Sequence, residues 1–159
     1  MTPYDQSAHT PLMLVVDDDA LVRDMVAASL TRAGYRVIVA TDGDKAIAAL
    51  ETATPALILT DLFMPNADGI ELLCSGRLGA ARPPVIAMSG GYAGIDMLGA
   101  AKALGAAATI AKPFLPRELV ELVRQTLGEA APRTDAAGSV SPAEAKPPTF
   151  EWNSSALTS

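Results

Sequence analysis

Four short apolar runs in this chain each end in residues able to do chemistry. Asp17-Asp18-Asp19 follow Val15-Val16, Asp61 follows Leu57-Ile58-Leu59-Thr60, Ser89 follows Val85-Ile86-Ala87-Met88, and Lys112-Pro113 follow Ala107 to Ala111. Three adjacent aspartates repel one another and favour a cation, so stability alone does not explain them. Hard divalent ions take oxygen ligands, and Mg2+ usually takes one or two carboxylates and keeps several waters. Asp18 and Asp61 suit direct ligation and Asp17 suits contact through water, while Asp19 reads as the N-cap of a following helix. A solvated acidic turn is the bland alternative for the run, and the matching Asp61 argues against it. Asp61 is a candidate nucleophile, since a carboxylate can attack phosphorus to give an aspartyl phosphate. Lys112 supplies a compact positive charge for a phosphoryl oxygen, against the alternative of an ordinary exposed lysine. Ser89 offers a hydroxyl donor, and Gly90-Gly91 leave room for backbone to approach.

The elements that must position these groups can be read from the pattern. Leu57 to Asp61 lacks polar alternation and reads as a fully buried central strand. Further strands are expected at Leu12–Val16, Val37–Ala40, Val85–Met88 and Ala107–Ala111. Helices fall between them. The first runs from Ala20 to Ala33, with Leu21, Val22, Met25, Val26, Ser29 and Leu30 on its inner face. The second is capped by Asp42 and turns Ala46, Ile47 and Leu50 inward. The third spans Gly69 to about Leu78. The fourth carries Ile95, Met97, Leu98, Ala101 and Leu104 on its apolar side, and the fifth, from Pro116, turns Leu119, Leu122, Val123, Thr126 and Leu127 inward. Alternation of this kind implies an α/β fold: a doubly wound, five-stranded parallel sheet with helices on both faces. In such a sheet, function collects at the carboxyl ends of the strands, where these acids, hydroxyl and ammonium sit.

The chain has 159 residues, enough for one domain with a proper core and not for two. Residues 1–11 read as a flexible N-terminal arm in which His9 is solvated, 12–128 as the domain, and 129–159 as a disordered Ala/Pro/Ser-rich tail. That tail holds the only tryptophan, in Phe150-Glu151-Trp152, either a docking motif or an incidental end. A net charge of −6 and a pI near 4.6 argue against a nucleic-acid surface. The single Cys74 excludes an intramolecular disulfide and reads as a small buried or half-buried thiol in a helix. No basic leader or membrane-length apolar run is visible, so a cytoplasmic protein is expected.

Taken together and in this order, these motifs resemble the receiver domain of two-component response regulators, from about Leu12 to Gly128. The residues carrying the resemblance are Asp17-Asp18-Asp19, Thr60-Asp61-Leu62-Phe63-Met64-Pro65, Asp68-Gly69, Ala87-Met88-Ser89 and Lys112-Pro113-Phe114. The resemblance implies a flavodoxin-like (βα)5 fold with Asp61 as phosphoacceptor. Asp18, Asp61 and the Phe63 carbonyl would be Mg2+ ligands, with Asp17 orienting metal-bound water. Ser89 would be the switch hydroxyl and Lys112 the lysine that contacts the phosphoryl group. The donor would be a phosphohistidine on a sensor histidine kinase or a histidine phosphotransfer protein. In one respect the chain departs from the pattern: Thr109 stands where receivers commonly carry an aromatic residue, and Tyr92 is a candidate replacement.

Two roles fit a stand-alone receiver: a phosphorylation-controlled interaction module, or a phosphate shuttle in a phosphorelay. An aspartyl-phosphate phosphohydrolase is the enzymatic alternative, but its general-acid Asp would fall at position 63, which is Phe63. A flavin-binding module of the same topology would need a Ser/Thr/Gly-rich phosphate loop where Asp17 to Asp19 stand.

Overall fold

A computed structural model describes residues 10–64, 69–78, 82–91 and 96–129. The strands are β1 (Leu12–Val16), β2 (Arg36–Ala40), β3 (Leu57–Asp61), β4 (Val85–Ser89) and β5 (Ala108–Ala111). The helices are α1 (Ala20–Arg32), α2 (Gly43–Thr52), α3 (Gly69–Cys74), α4 (Met97–Ala103) and α5 (Pro116–Leu127). All strand pairs are parallel and the order is β2-β1-β3-β4-β5, the flavodoxin-like, doubly wound arrangement expected from the alternation. From β1 the chain moves outward one way to β2 and then crosses to β3 on the other side. The reversal opens a crevice at the carboxyl ends of β1 and β3, the place where such sheets bind ligands.

Both faces of the sheet are covered. Leu14, Val16 and Ile58 point to one side, where Ala46 of α2, Leu72 of α3 and Ala101 of α4 pack on them. Met13, Val15, Leu57 and Leu59 point to the other, against Val26 and Leu30 of α1 and Leu119 and Val123 of α5. Every residue of β3 and β4 is buried, which explains their unbroken apolar runs. β5 lies at an edge, is only half-buried and is built from smaller side chains.

Helix ends follow their caps. The Asp19 carboxylate accepts the Leu21 N–H at 2.9 Å, and that of Asp42 accepts the Lys45 N–H at 2.9 Å. Gly69, opening α3, is held by a close approach: a Cβ there would come within 2.2 Å of the Asp61 carbonyl oxygen. Several expectations need correction. Leu21 is 82% exposed, its neighbour Ala20 in the first turn of α1 is exposed too, and burial on this helix starts further along, at Val26 and Leu30. Leu104 is also exposed, since α4 ends at Ala103 and Leu104 serves as its C-cap. Helix α3 ends at Cys74, short of Leu78, and leaves that thiol exposed instead of buried. Ile95, Tyr92, Pro65, Asp68, His9 and the segment 130–159 lie outside the described residues.

Candidate functional site

Asp17 is the most constrained residue of the sheet's carboxyl edge. Its N–H donates to the Ala40 carbonyl at 3.2 Å, which extends the β1–β2 pairing by one step. Its own carbonyl accepts from Arg23 Nη1 at 2.9 Å. Its Oδ1 accepts the Asp19 N–H at 2.9 Å, and its Oδ2 accepts Lys112 Nζ at 2.7 Å. Asp17 has no exposed surface, so these partners replace the water that a buried carboxylate would otherwise lose.

Asp61 completes the buried strand β3 and faces the same lysine, with Lys112 Nζ at 3.1 Å from its Oδ2. The Phe63 N–H donates to Asp61 Oδ1 at 3.1 Å, curling the chain around the carboxylate directly after the strand. Burial pushes the Asp61 carboxyl above the usual carboxylate range, and the Phe63 N–H and the Lys112 charge only partly oppose it. For Lys112, burial works against the charged form, but the hydrogen bond to Asp17 and the charges of Asp61 and Asp17 outweigh it and hold its pKa up. Lys112 is therefore a fixed ammonium between two acids. Its N–H donates to the Ser89 carbonyl at 2.8 Å, tying the end of β5 to the end of β4.

One carboxylate oxygen each from Asp17, Asp18 and Asp61 lie within 4.8 Å of one another, and Asp18 is exposed while the other two are buried. A set of oxygens alone suits a hard divalent cation. Both oxygens of Asp17 and both of Asp61 already carry protein partners, and Asp18 is the exposed acid of the three. Ser89 is buried at the end of β4, and its Oγ accepts the Gly91 N–H at 3.3 Å. Gly91 has φ +77°, a conformation that favours glycine. Thr109 is half-buried in the middle of β5, paired in register with Ala87. Phe63 is 37% exposed and places an apolar ring at the position where a phosphohydrolase would need its acid.

Asp17, Asp18, Asp61 and Lys112 thus meet at the carboxyl edge of the sheet, and Ser89 is tied to them through its carbonyl and the Lys112 N–H. Arg23 did not stand out in sequence. It lies six residues after Asp17, far enough along α1 to reach back over the first turn, and that spacing is the signal that could have exposed it. Thr60, which the sequence offered only as part of the motif around Asp61, donates its hydroxyl to the Asp61 carbonyl at 3.0 Å beneath Gly69.

Comparison with known proteins agrees with this geometry. The family model described as "Response regulator receiver domain" matches residues 13–124, a span that includes every strand-end group described above. The transcriptional regulatory protein ResD of Bacillus subtilis is 38% identical over 127 residues, 80% of this chain and 52% of its own length. The phosphate regulon transcriptional regulatory protein PhoB of Pseudomonas aeruginosa is 35% identical over 76% of this chain and 53% of its own. This chain spans about half the length of the curated relatives it matches. Among solved structures, a CheY-like response regulator receiver domain protein from Methanospirillum hungatei superposes with a TM-score of 0.68 at 30% identity, covering 75% of this chain and 94% of that one. A response regulator from Chloroflexus aurantiacus, described there as putative, gives 0.69 at 30% identity, covering 76% and 99%. Family, sequence relatives and fold neighbours meet on the same stretch of sequence, and this chain belongs to the response regulator receiver domains of two-component signalling.

Proposed function

We propose that residues 12–128 form a receiver unit that takes a phosphoryl group on Asp61 and uses it to switch protein–protein contacts. The observation that supports this best is the ammonium of Lys112, 2.7 Å from Asp17 and 3.1 Å from Asp61, beside a third carboxylate. In this reading an Asp61 oxygen attacks phosphorus of a phosphohistidine, the P–N bond breaks, and the imidazole leaves with its electron pair and takes up a proton. The donor is a sensor histidine kinase or a histidine phosphotransfer protein. Mg2+ would be held by Asp18, Asp61 and the Phe63 carbonyl, with Asp17 orienting a metal-bound water, and would neutralise charge on the transferring group. Lys112 then moves its contact from the carboxylate to a phosphoryl oxygen, and the Ser89 hydroxyl supplies a second donor. Leu62 contributes no backbone donor, because its N–H is committed to the Met88 carbonyl at 3.0 Å.

The net charge of −6 disfavours a nucleic-acid partner, and among the described residues no helix is long and apolar enough to cross a membrane. We place the protein in the cytoplasm, with protein partners. Although relatives are named as transcriptional or DNA-binding regulators, the match covers about half of their length, so that output is not carried over.

Incubation with acetyl phosphate tests the chemistry. Label should appear on Asp61 only with a divalent metal, and Asp61→Asn should lose it while keeping the far-ultraviolet circular dichroism of the fold. Undiminished labelling of that variant would remove Asp61 from its role.

A further inference from the structure

The face opposite the one packed by α2, α3 and α4 carries a feature that the phosphoryl site does not use. Between α1 and α5 lies an open groove of about 380 Å³. Its floor is apolar, with Pro116 and Val120, and three arginines, Arg32, Arg117 and Arg124, line it against the single acid Glu121. Arginine stems cover apolar surface while their planar heads stack on aromatic rings and pair with carboxylates. Such a groove fits an aromatic residue flanked by an acid.

The chain itself carries a segment of that kind and delivers it from the right place. At the end of α5, Gly128 takes a left-handed conformation and the Glu129 N–H donates back to the Arg124 carbonyl at 2.9 Å. The Glu129 carboxylate accepts the Tyr35 hydroxyl at 2.5 Å, fastening the exit of the chain to the turn after α1. Everything beyond therefore starts beside α1 and α5, on the face with the groove. Phe150-Glu151-Trp152 combines two of the chain's few aromatics with a carboxylate. It lies roughly 20 residues past Glu129, and a coil of that length spans about 25 Å. Helix α5, at 12 residues, is about 18 Å long. Span and tether match, the condition under which a tethered segment reaches its highest effective concentration.

We infer that Phe150-Glu151-Trp152 docks in cis on the α1–α5 groove, its rings over the arginine heads and Val120, its carboxylate among Arg32, Arg117 and Arg124. A segment seated there covers the face of α1 and α5, and any protein packing on that face must displace it.

Trp152 is the only tryptophan, so its fluorescence reports the contact directly in the full chain. In the folded protein its emission should lie to the blue of its position in the same protein unfolded by guanidinium. Arg32→Glu with Arg117→Glu should return it to the unfolded position, and because both side chains are exposed the fold survives the change. Phe150→Ala, read by amide shifts at Arg32, Arg117 and Val120, should move those resonances without touching Asp61 or Ser89. A solvent-like Trp152 in the folded wild type overturns the inference, as does a blue shift that persists in the double arginine variant. A blue shift that fades on dilution assigns the groove to a second copy and overturns docking in cis.

Discussion

Along the carboxyl edge of the sheet, the ends of β1 and β3 are crowded with bonds, whereas the end of β4, helix α4 and strand β5 are not. Asp17 uses its N–H, its carbonyl and both carboxylate oxygens, and Asp61 has a partner on each oxygen. The Ser89 hydroxyl, one strand over, accepts a long hydrogen bond of 3.3 Å from the Gly91 N–H, and its carbonyl accepts the Lys112 N–H. Helix α4 has seven residues and buries only Ala101, and no residue of β5 is fully buried. Local stability follows buried apolar contact and internal hydrogen bonding. The side proposed to perform chemistry is therefore preorganised, and the side proposed to report it is more loosely held. Lys112 joins the two, with its side chain on the acids and its N–H on Ser89.

The largest test of this contrast is Lys112→Ala. Removing one partner of a buried charge pair leaves the others uncompensated, at a cost of about 3 kcal/mol. Here two carboxylates lose their shared cation, and Asp17, with no exposed surface, cannot recover water. Chemical denaturation without metal should show that loss, and added Mg2+ should return much of it by supplying another cation. A loss below about 0.5 kcal/mol, the level of an ordinary surface change, would break the picture of a tightly coupled acid side.

A smaller effect, of opposite sign, is expected from Asp61→Asn. Burial raises the Asp61 pKa in the folded state, so the fold favours its neutral form. That contribution is present below the ordinary carboxylate value and lost as pH rises through the raised one. At neutral pH the metal-free fold thus carries a carboxylate it disfavours, and Lys112 keeps Asp17, its nearer partner, when Asp61 is neutralised. Asp61→Asn should stabilise the metal-free protein by about 1 kcal/mol at pH 7, a common trade of stability for function. The difference should vanish as pH falls below the ordinary carboxylate range. With saturating Mg2+ the order should reverse, since only the wild type keeps both direct ligands. Parallel stability curves of the two proteins across pH would refute the sign.

The contrast also explains what the sequence could and could not disclose. Strand β3 was legible because burial on both faces leaves an unbroken apolar run that a single acid terminates. Asp19 and Asp42 were legible as caps because capping is a local event between neighbours. Leu21 and Leu104 were misjudged because helical periodicity says which residues share a face, not where along the helix the packing begins or the helix ends. Cys74 followed the same error once α3 proved shorter than its pattern. Strand ends that converge could be read from order and spacing. The bonds that lock them were harder to read: the spacing of Arg23 from Asp17 puts it within reach of the β1 end, but that it bonds the Asp17 carbonyl depends on backbone geometry that residue type does not encode.

The smallest expected change in stability belongs to Ser89→Ala, and it sharpens the comparison most. The variant loses one weak hydrogen bond, and the exposed Gly91 N–H can turn to water instead. Stability should shift by less than about 0.5 kcal/mol. The phosphoryl group should still be accepted, because Asp61, Lys112 and the acids of β1 are untouched. What should weaken is the response. A phosphoryl group can only bias an equilibrium between arrangements already accessible, and the side with few buried contacts is where alternatives lie close in energy. Ser89 is the proposed donor on that side, and position 109 carries a threonine in place of an aromatic that could relay its movement. Amide shifts on phosphorylation should therefore concentrate at Gly90, Gly91, α4 and β5 in the wild type and shrink there in Ser89→Ala, while those of Asp17 to Arg23 stay alike. Equal shifts across α4 and β5 in both proteins would show that the loosely held side takes its signal through Lys112 and not through the serine.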